Sequence, residues 1–210
     1  MKLLRIYRDA GGNEIGLNRV GALVTDRVGS LYPADGSYLL SSPPTQTVIA
    51  LNMPAGAICT LAVGPFARND LAADSKGNVY AGVCAIANRF TGAQIMRYGV
   101  DGTAIALAGS PDAAGATDGT GNQARFGSCQ LGIGVDRNDN VFVADTANHV
   151  VRRVSAAGQV STVVGQPGVQ GITLGELPAT LSEPLDVSFD GAGTMYVGSA
   201  HAVLRTRLGD

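Results

Sequence analysis

The residues best suited to chemistry are few and sit close together. In the 210-residue chain, Asp145, Asn148 and His149 fall within the run DTANH, and the second histidine is His201. A carboxylate, an amide and an imidazole so spaced could relay a proton or hold a cation. Two histidines in all cannot build a three-histidine zinc site from one copy of the chain. No Ser/His/Asp constellation stands out around either of them, so no catalytic or metal-ligating residue is assigned. Cys59, Cys84 and Cys129 show neither CxxC nor Cys/His spacing, and an odd number argues against a full disulfide framework.

The glycine-rich stretch DGTGNQARFG, residues 118–127, invites a phosphate-loop reading. It lacks GxxxxGK[ST] and joins no parallel strand to a helix, so that reading fails. Its oxygen donors, led by Asp118, lack the acidic register and closing glutamate of an EF-hand loop. Weak calcium binding there has no further support, and no cofactor is expected.

The elements that must position these residues repeat. LAADSKGNVYAGV (71–83), LGIGVDRNDNVFVAD (131–145) and LDVSFDGAGTMYVGS (185–199) share one pattern: an apolar run, a polar turn and an aromatic-centred strand. In each, an aspartate (Asp74, Asp136, Asp190) precedes the aromatic (Tyr80, Phe142, Tyr196) by six positions. A looser copy at 28–42 puts Tyr38 in the aromatic slot and Tyr32 in that of the aspartate. A second hairpin follows in TVIALNMPAGAICTLAV, QIMRYGVDGTAIALAG and HVVRRVSAAGQVSTVVG, with Gly102 and Gly158 each seven residues before a closing Gly109 or Gly165.

Each unit is thus four short strands, A to D, in a meander. The aromatic positions lie 42, 62 and 54 residues apart, a base period near 40 with insertions. Period and strand count predict an all-β fold, a β-propeller of four-stranded antiparallel blades. One domain is expected over 1–210: a partial blade at 1–27, full blades at 28–64, 66–109 and 127–165, and a partial blade at 184–210. Three full blades with a partial blade at each end make either an incomplete ring or a piece of a larger, six-bladed one. Open blade edges would favour self-association.

Composition limits the partners. Net charge is −2 and the sequence pI about 5.6, which gives no general attraction to nucleic acid or anionic membrane. No apolar run reaches the roughly 20 residues of a bilayer span, and the start, MKLLRIYRDAGG, does not have the form of a signal peptide.

Residues 131–165 resemble the NHL-repeat β-propellers of bacterial type: DRNDNVFVADTANHVVRRV carries that family's Asp-turn-Asn-Val-Phe-Val-Ala-Asp-Thr-x-Asn-His-x-Val-Arg pattern almost intact. GATDGTGNQARFGSCQLGIGVD is similar to the segment between blades in such proteins. The copy at 66–109 departs from the pattern, having CAIANRFTGAQ for the Asp-x-x-Asn-His stretch, and the last copy reads SAHAVLRTR. The resemblance implies a periplasmic or extracellular setting. Because Asp145, Asn148 and His149 recur in the family repeat, it also favours a hairpin-bracing role for them over ligand contact.

Function is expected in what the repeat does not explain. The A–B turns (75–78, 137–140, 190–193) and C–D turns (99–102, 155–158) are short, whereas the insertions at 84–94, 110–130 and 166–184 fall on B–C and D–A connections. All three are therefore expected on one face, where a rigid scaffold commonly carries binding loops. Candidate binding residues are Arg89, Phe90, Asp118, Asn122 and Arg125, with Asp145, Asn148, His149 and His201 from the repeat itself. Phe126 reads as a plug between blades, and Arg152, aligned with Arg97 and Arg205, as a blade-to-blade ion pair. The insertions offer Arg89 and Arg125 against Asp112, Asp118, Glu176 and Glu183, which disfavours RNA. The expectation is a non-enzymatic module binding a protein or glycan through that face, from which loop 111–128 could be deleted without unfolding. The alternative is a propeller-type lyase or hydrolase with a central-channel site, which could hold a metal.

Overall fold

The computed structural model describes residues 20–25, 31–35, 46–52, 57–64, 70–83, 92–99, 101, 103–127 and 131–208. Arg89, Phe90, Tyr38, Cys84, Cys129 and nearly all of the 1–27 segment lie outside them.

Four antiparallel sheets follow one another along the chain. The first comprises β1 (Val20–Thr25), β2 (Leu31–Asp35), β3 (Gln46–Asn52) and β4 (Ala57–Gly64). The second comprises β5 (Leu71–Ala73), β6 (Val79–Val83), β7 (Gln94–Tyr98) and β8 (Ala104–Gly109). After β9 (Gly119–Thr120), the third sheet comprises β10 (Leu131–Val135), β11 (Val141–Asp145), β12 (Val150–Val154) and β13 (Gln159–Val164). The fourth has β14 (Pro184–Phe189), β15 (Met195–Ser199) and β16 (Ala202–Thr206). Each is a meander in sequence order, with β9 added outside β13. The innermost strands stand in succession, β1 beside β5, β5 beside β10 and β10 beside β14.

The aspartate-to-aromatic spacing has a direct cause. Asp74 ends strand A, and its Oδ1 accepts the backbone N–H groups of Lys76 and Asn78, both at 2.9 Å. Its Oδ2 accepts the Asn78 amide at 2.7 Å and the Tyr80 hydroxyl at 3.0 Å. Asp136 and Asp190 repeat the two backbone bonds, to Asn138 and Asn140 and to Ala192 and Thr194. An acceptor side chain that takes the N–H groups two and four residues on closes the turn. Six residues on, strand B has returned far enough for a tyrosine to reach the same carboxylate. Burial and that carboxylate together push the Tyr80 hydroxyl's pKa upward.

Alternation along strand B sends its two faces to two neighbours. Val141 and Val143 join the core shared with Tyr80 and Ile95 of the second sheet, whereas Phe142 and Ala144 join Val187 and Met195 of the fourth. The third sheet thus buries both faces, which accounts for its continuous apolar runs. Gly109 and Gly165 close their sheets at φ of 91° and 90°, and a Cβ on either would stand 2.4 Å from the carbonyl oxygen of Ala93 or His149. Both conformation and space demand glycine there.

Two expectations change. The first full sheet takes its first strand from Val20–Thr25, ahead of the boundary at 28, and its second from Leu31–Asp35, so Tyr32 lies in strand B rather than in a turn. The marker is Asp26 with Tyr32, six positions apart; Tyr32 rather than Tyr38 takes the aromatic slot, opposite Val24 as Tyr80 is opposite Ala72. Arg152 does not align with Arg97 and Arg205 either. Arg97 stands opposite Tyr80, Arg153 opposite Phe142 and Arg205 opposite Tyr196, so the repeating arginine is Arg153. Arg152, opposite Val143, takes the position of Met96 and Leu204.

Candidate functional site

Arg152 is fully buried and organises the 110–130 insertion. Its Nη1 donates to the Arg125 carbonyl at 3.0 Å and reaches Asp145 at 3.4 Å. Its Nη2 donates to the Thr117 carbonyl at 2.9 Å and to Asp118 at 2.7 Å. The Phe126 ring centroid lies 5.4 Å from the guanidinium carbon, and Nε has no hydrogen-bond partner. Asp145, wholly buried, also accepts from Gly127 N–H at 3.0 Å and Asn148 Nδ2 at 2.8 Å. Burial raises the Asp145 pKa, against the opposing pull of Asn148, Gly127 and Arg152.

Four further residues singled out from the sequence thereby acquire structural partners. Asp118 takes Arg152 together with the Thr162 N–H and hydroxyl at 3.1 Å each. Arg125 caps carbonyls of its own loop, those of Asn122 and Ala124. Asn148 bridges Asp145 and the Gly115 carbonyl. Phe126 is completely buried in the core between the second and third sheets.

The course of this insertion departs from the expected gathering of loops on one face. β9 pairs with β13 through Thr120 and Gln159, and Gly121 N–H bonds the Gly158 carbonyl in a C–D turn. The insertion therefore runs down the outer edge of the third sheet to the opposite, short-turn face and returns. Its hairpin-like periodicity is too short to show in sequence. Deleting 111–128 would remove Phe126 and leave Arg152 with only Asp145 of its four acceptors, so the loop is part of the fold rather than an appendage.

The 166–184 insertion is tied to the B–C turn of the third blade. Gly168 N–H bonds the Asn148 carbonyl at 3.1 Å, and Glu183 N–H donates to His149 Nδ1 at 3.2 Å. His149 closes the B–C turn at φ 60°, a left-handed conformation. With Nδ1 accepting, the neutral ring carries its proton on Nε2 as a donor. Gln170 reaches Ser182 and Glu183, while Ser199 Oγ accepts from Ser182 N–H at 3.1 Å. His201 is exposed on the next B–C turn, beside Ala200 at φ 47°. Gln170, Glu183 and His201 are all exposed, and with His149 they form a polar rim between the third and fourth sheets. Nothing in the repeat signals Gln170 or Glu183; only their place in an insertion does.

The sequence also gave no sign of a carboxyl pair on the innermost strands. Asp70, immediately before β5, has Asp186 of β14 as side-chain hydrogen-bond partner. Burial first, then the bond to Asp186 and repulsion from its charge, push Asp70 up to about 6. N–H groups of Leu71 and Ile133 hold it partly back. Among the described residues no group of three or more His, Cys, Asp or Glu side chains converges to hold a metal. No helix among them is long and apolar enough to cross a membrane.

No family model matches the chain, and no curated protein matches it. Solved structures do. A structural genomics protein of unknown function from Bacteroides thetaiotaomicron superposes with a TM-score of 0.66 at 22% identity, over 89% of this chain and 46% of that one. An auxiliary nutrient binding protein from the same organism gives 0.60 at 17%, over 90% and 46%. A streptogramin B lyase gives 0.55 at 12%, over 92% and 57%. At these identities the likeness establishes fold alone, and the chain spans about half the length of these structures. The fold is a β-propeller in part: antiparallel blades with almost no helix.

Proposed function

We propose that the chain is a binding module of NHL type, non-enzymatic, that recognises a protein or glycan through the B–C and D–A face between its third and fourth blades. One observation carries the reading. The 166–184 insertion is pinned by its backbone to the B–C turn of the third blade, yet leaves Gln170, Glu183 and His201 exposed. Fixed main chain with exposed polar side chains, Gln170 and Glu183 already paired with each other, lowers the ordering cost of binding. The name of the auxiliary nutrient binding protein is in keeping with ligand capture. Screening the protein against a glycan array and a displayed-peptide library tests this. A Gln170→Ala/Glu183→Ala/His201→Ala variant should lose at least about tenfold in affinity for any ligand found, roughly 1.4 kcal/mol. Unchanged affinity in that variant would refute the assignment.

A second reading, a lyase or hydrolase acting in the channel, is favoured by the Asp70–Asp186 pair. A carboxyl raised to about 6 beside a second carboxyl suits general acid and base work. Turnover of a lactone substrate that disappears in both Asp70→Asn and Asp186→Asn, with a pH profile bending near 6, would support it. Activity that survives both substitutions would exclude it.

A further inference from the structure

The short-turn face carries a second site. Between the third and fourth blades lies a cavity of about 510 Å³, the size of a small-molecule pocket. Arg137, Arg153 and Arg207 line it, with Phe142 and Phe189 at its base, their ring centroids 4.7 Å apart. Asp136 is the carboxylate among the lining residues, and its oxygens are engaged by Asn138 and Asn140 within its own turn. Three guanidiniums against one carboxylate leave the cavity cationic.

The same place between the second and third blades is built otherwise. There Asp139, at φ 62°, extends its carboxylate to the previous blade's turn, accepting Ser75 N–H at 2.9 Å and Ser75 Oγ–H at 2.6 Å. Aligning the turns on Asp74, Asp136 and Asp190 puts Arg137 in the place of Ser75 and Gly193 in that of Asp139. Gly193 has φ 80°, and a Cβ there would meet the Arg137 guanidinium at 3.7–3.8 Å. Arg207 stands where the third blade has Ser155, and its Nε donates to Thr194 Oγ1 at 3.4 Å. One acid has been lost and two cations gained, and both cations converge on the 190–194 turn.

We infer that this cleft binds a compact small-molecule dianion, a phosphate or polycarboxylate group held by Arg137, Arg153 and Arg207. Guanidinium pairs match such oxyanions in geometry as well as charge. The site is independent of the opposite face and of whatever ligand binds there.

Calorimetric titration with inorganic phosphate and, separately, with citrate in low-salt buffer tests the inference and distinguishes the two oxyanion types. Saturable one-to-one binding of at least one probe is expected, weakening as salt is added. Arg137→Ser/Arg207→Ser, which installs the residues of the other interface, should weaken it at least about tenfold. Gly193→Asp, a residue the turn already accepts at Asp139, should do the same while leaving the fold intact. No saturable heat with either probe, or equal affinity in both variants, would overturn the inference.

Discussion

The interface between the second and third blades and that between the third and fourth are built on one frame yet differ in what the frame leaves over. In the first, Tyr80 bonds the turn carboxylate, Asp139 ties neighbouring turns together and Phe126 fills the core. In the second, Phe142 has no hydroxyl, Gly193 has no side chain and a cavity remains. The inner strands, turn aspartates and the closing Gly109 and Gly165 stay constant between the second and third blades, because each answers a backbone requirement that both share. Ligand-accessible features arise where side chains depart from that frame. His149 belongs to the frame through its left-handed turn, and Glu183 does not.

The largest effect should come from the residue that departs most. Arg152→Met places in the third blade what the second has at Met96, but leaves Asp145 buried without its cation. A loss of about 3–5 kcal/mol in urea unfolding is expected, partly recovered in Arg152→Met/Asp145→Asn. A loss below about 1 kcal/mol would mean that the guanidinium does not hold the insertion.

The Asp70–Asp186 pair sets the next effect. Asp70 has a folded-state pKa of about 6 against 3.8 in the unfolded chain. Its contribution is therefore complete below about 4 and lost as pH rises through 6. Discounted for solvent at this half-buried carboxyl, the drop is on the order of 1–2 kcal/mol. Chemical denaturation between pH 4 and 7 should show the decline in wild type and a flatter profile in Asp70→Asn. Parallel profiles would break the assignment.

Smaller changes sharpen the contrast between interfaces. Asp139→Ala should cost about 1 kcal/mol by releasing Ser75; an unchanged midpoint would show that the turn-to-turn bond is idle. Phe142→Tyr offers Asp136 the hydroxyl that Asp74 receives from Tyr80. It should leave stability within about 0.5–1 kcal/mol of wild type, on the stabilising side. Marked destabilisation would show that the two aromatic slots are not equivalent.

Much of this was legible in the residues. The aspartate and aromatic six apart marked three A–B hairpins, since a turn-capping carboxylate and a returning strand fix that distance. Phe126 read correctly as a plug. Register in the first blade was not legible from the looser alignment, because Tyr38 competes for the aromatic slot that Asp26 and Tyr32, six apart, mark. Nor was the alignment of Arg152: adjacent arginines on one strand face opposite ways, and only pairing with Phe142 and Val143 separates them. The Asp70–Asp186 contact joins positions far apart in sequence and depends on how inner strands converge. The anionic-ligand cleft is invisible to any single repeat, since it arises from differences between aligned copies.

The most direct test of where recognition lies is a hydrogen-exchange footprint of the protein with and without a ligand from the array or library. The account predicts added protection at the B–C turns, 146–149 and 199–201, and in the insertion at 168–171 and 182–183. Protection confined to the A–B and C–D turns, with none in these segments, would contradict it.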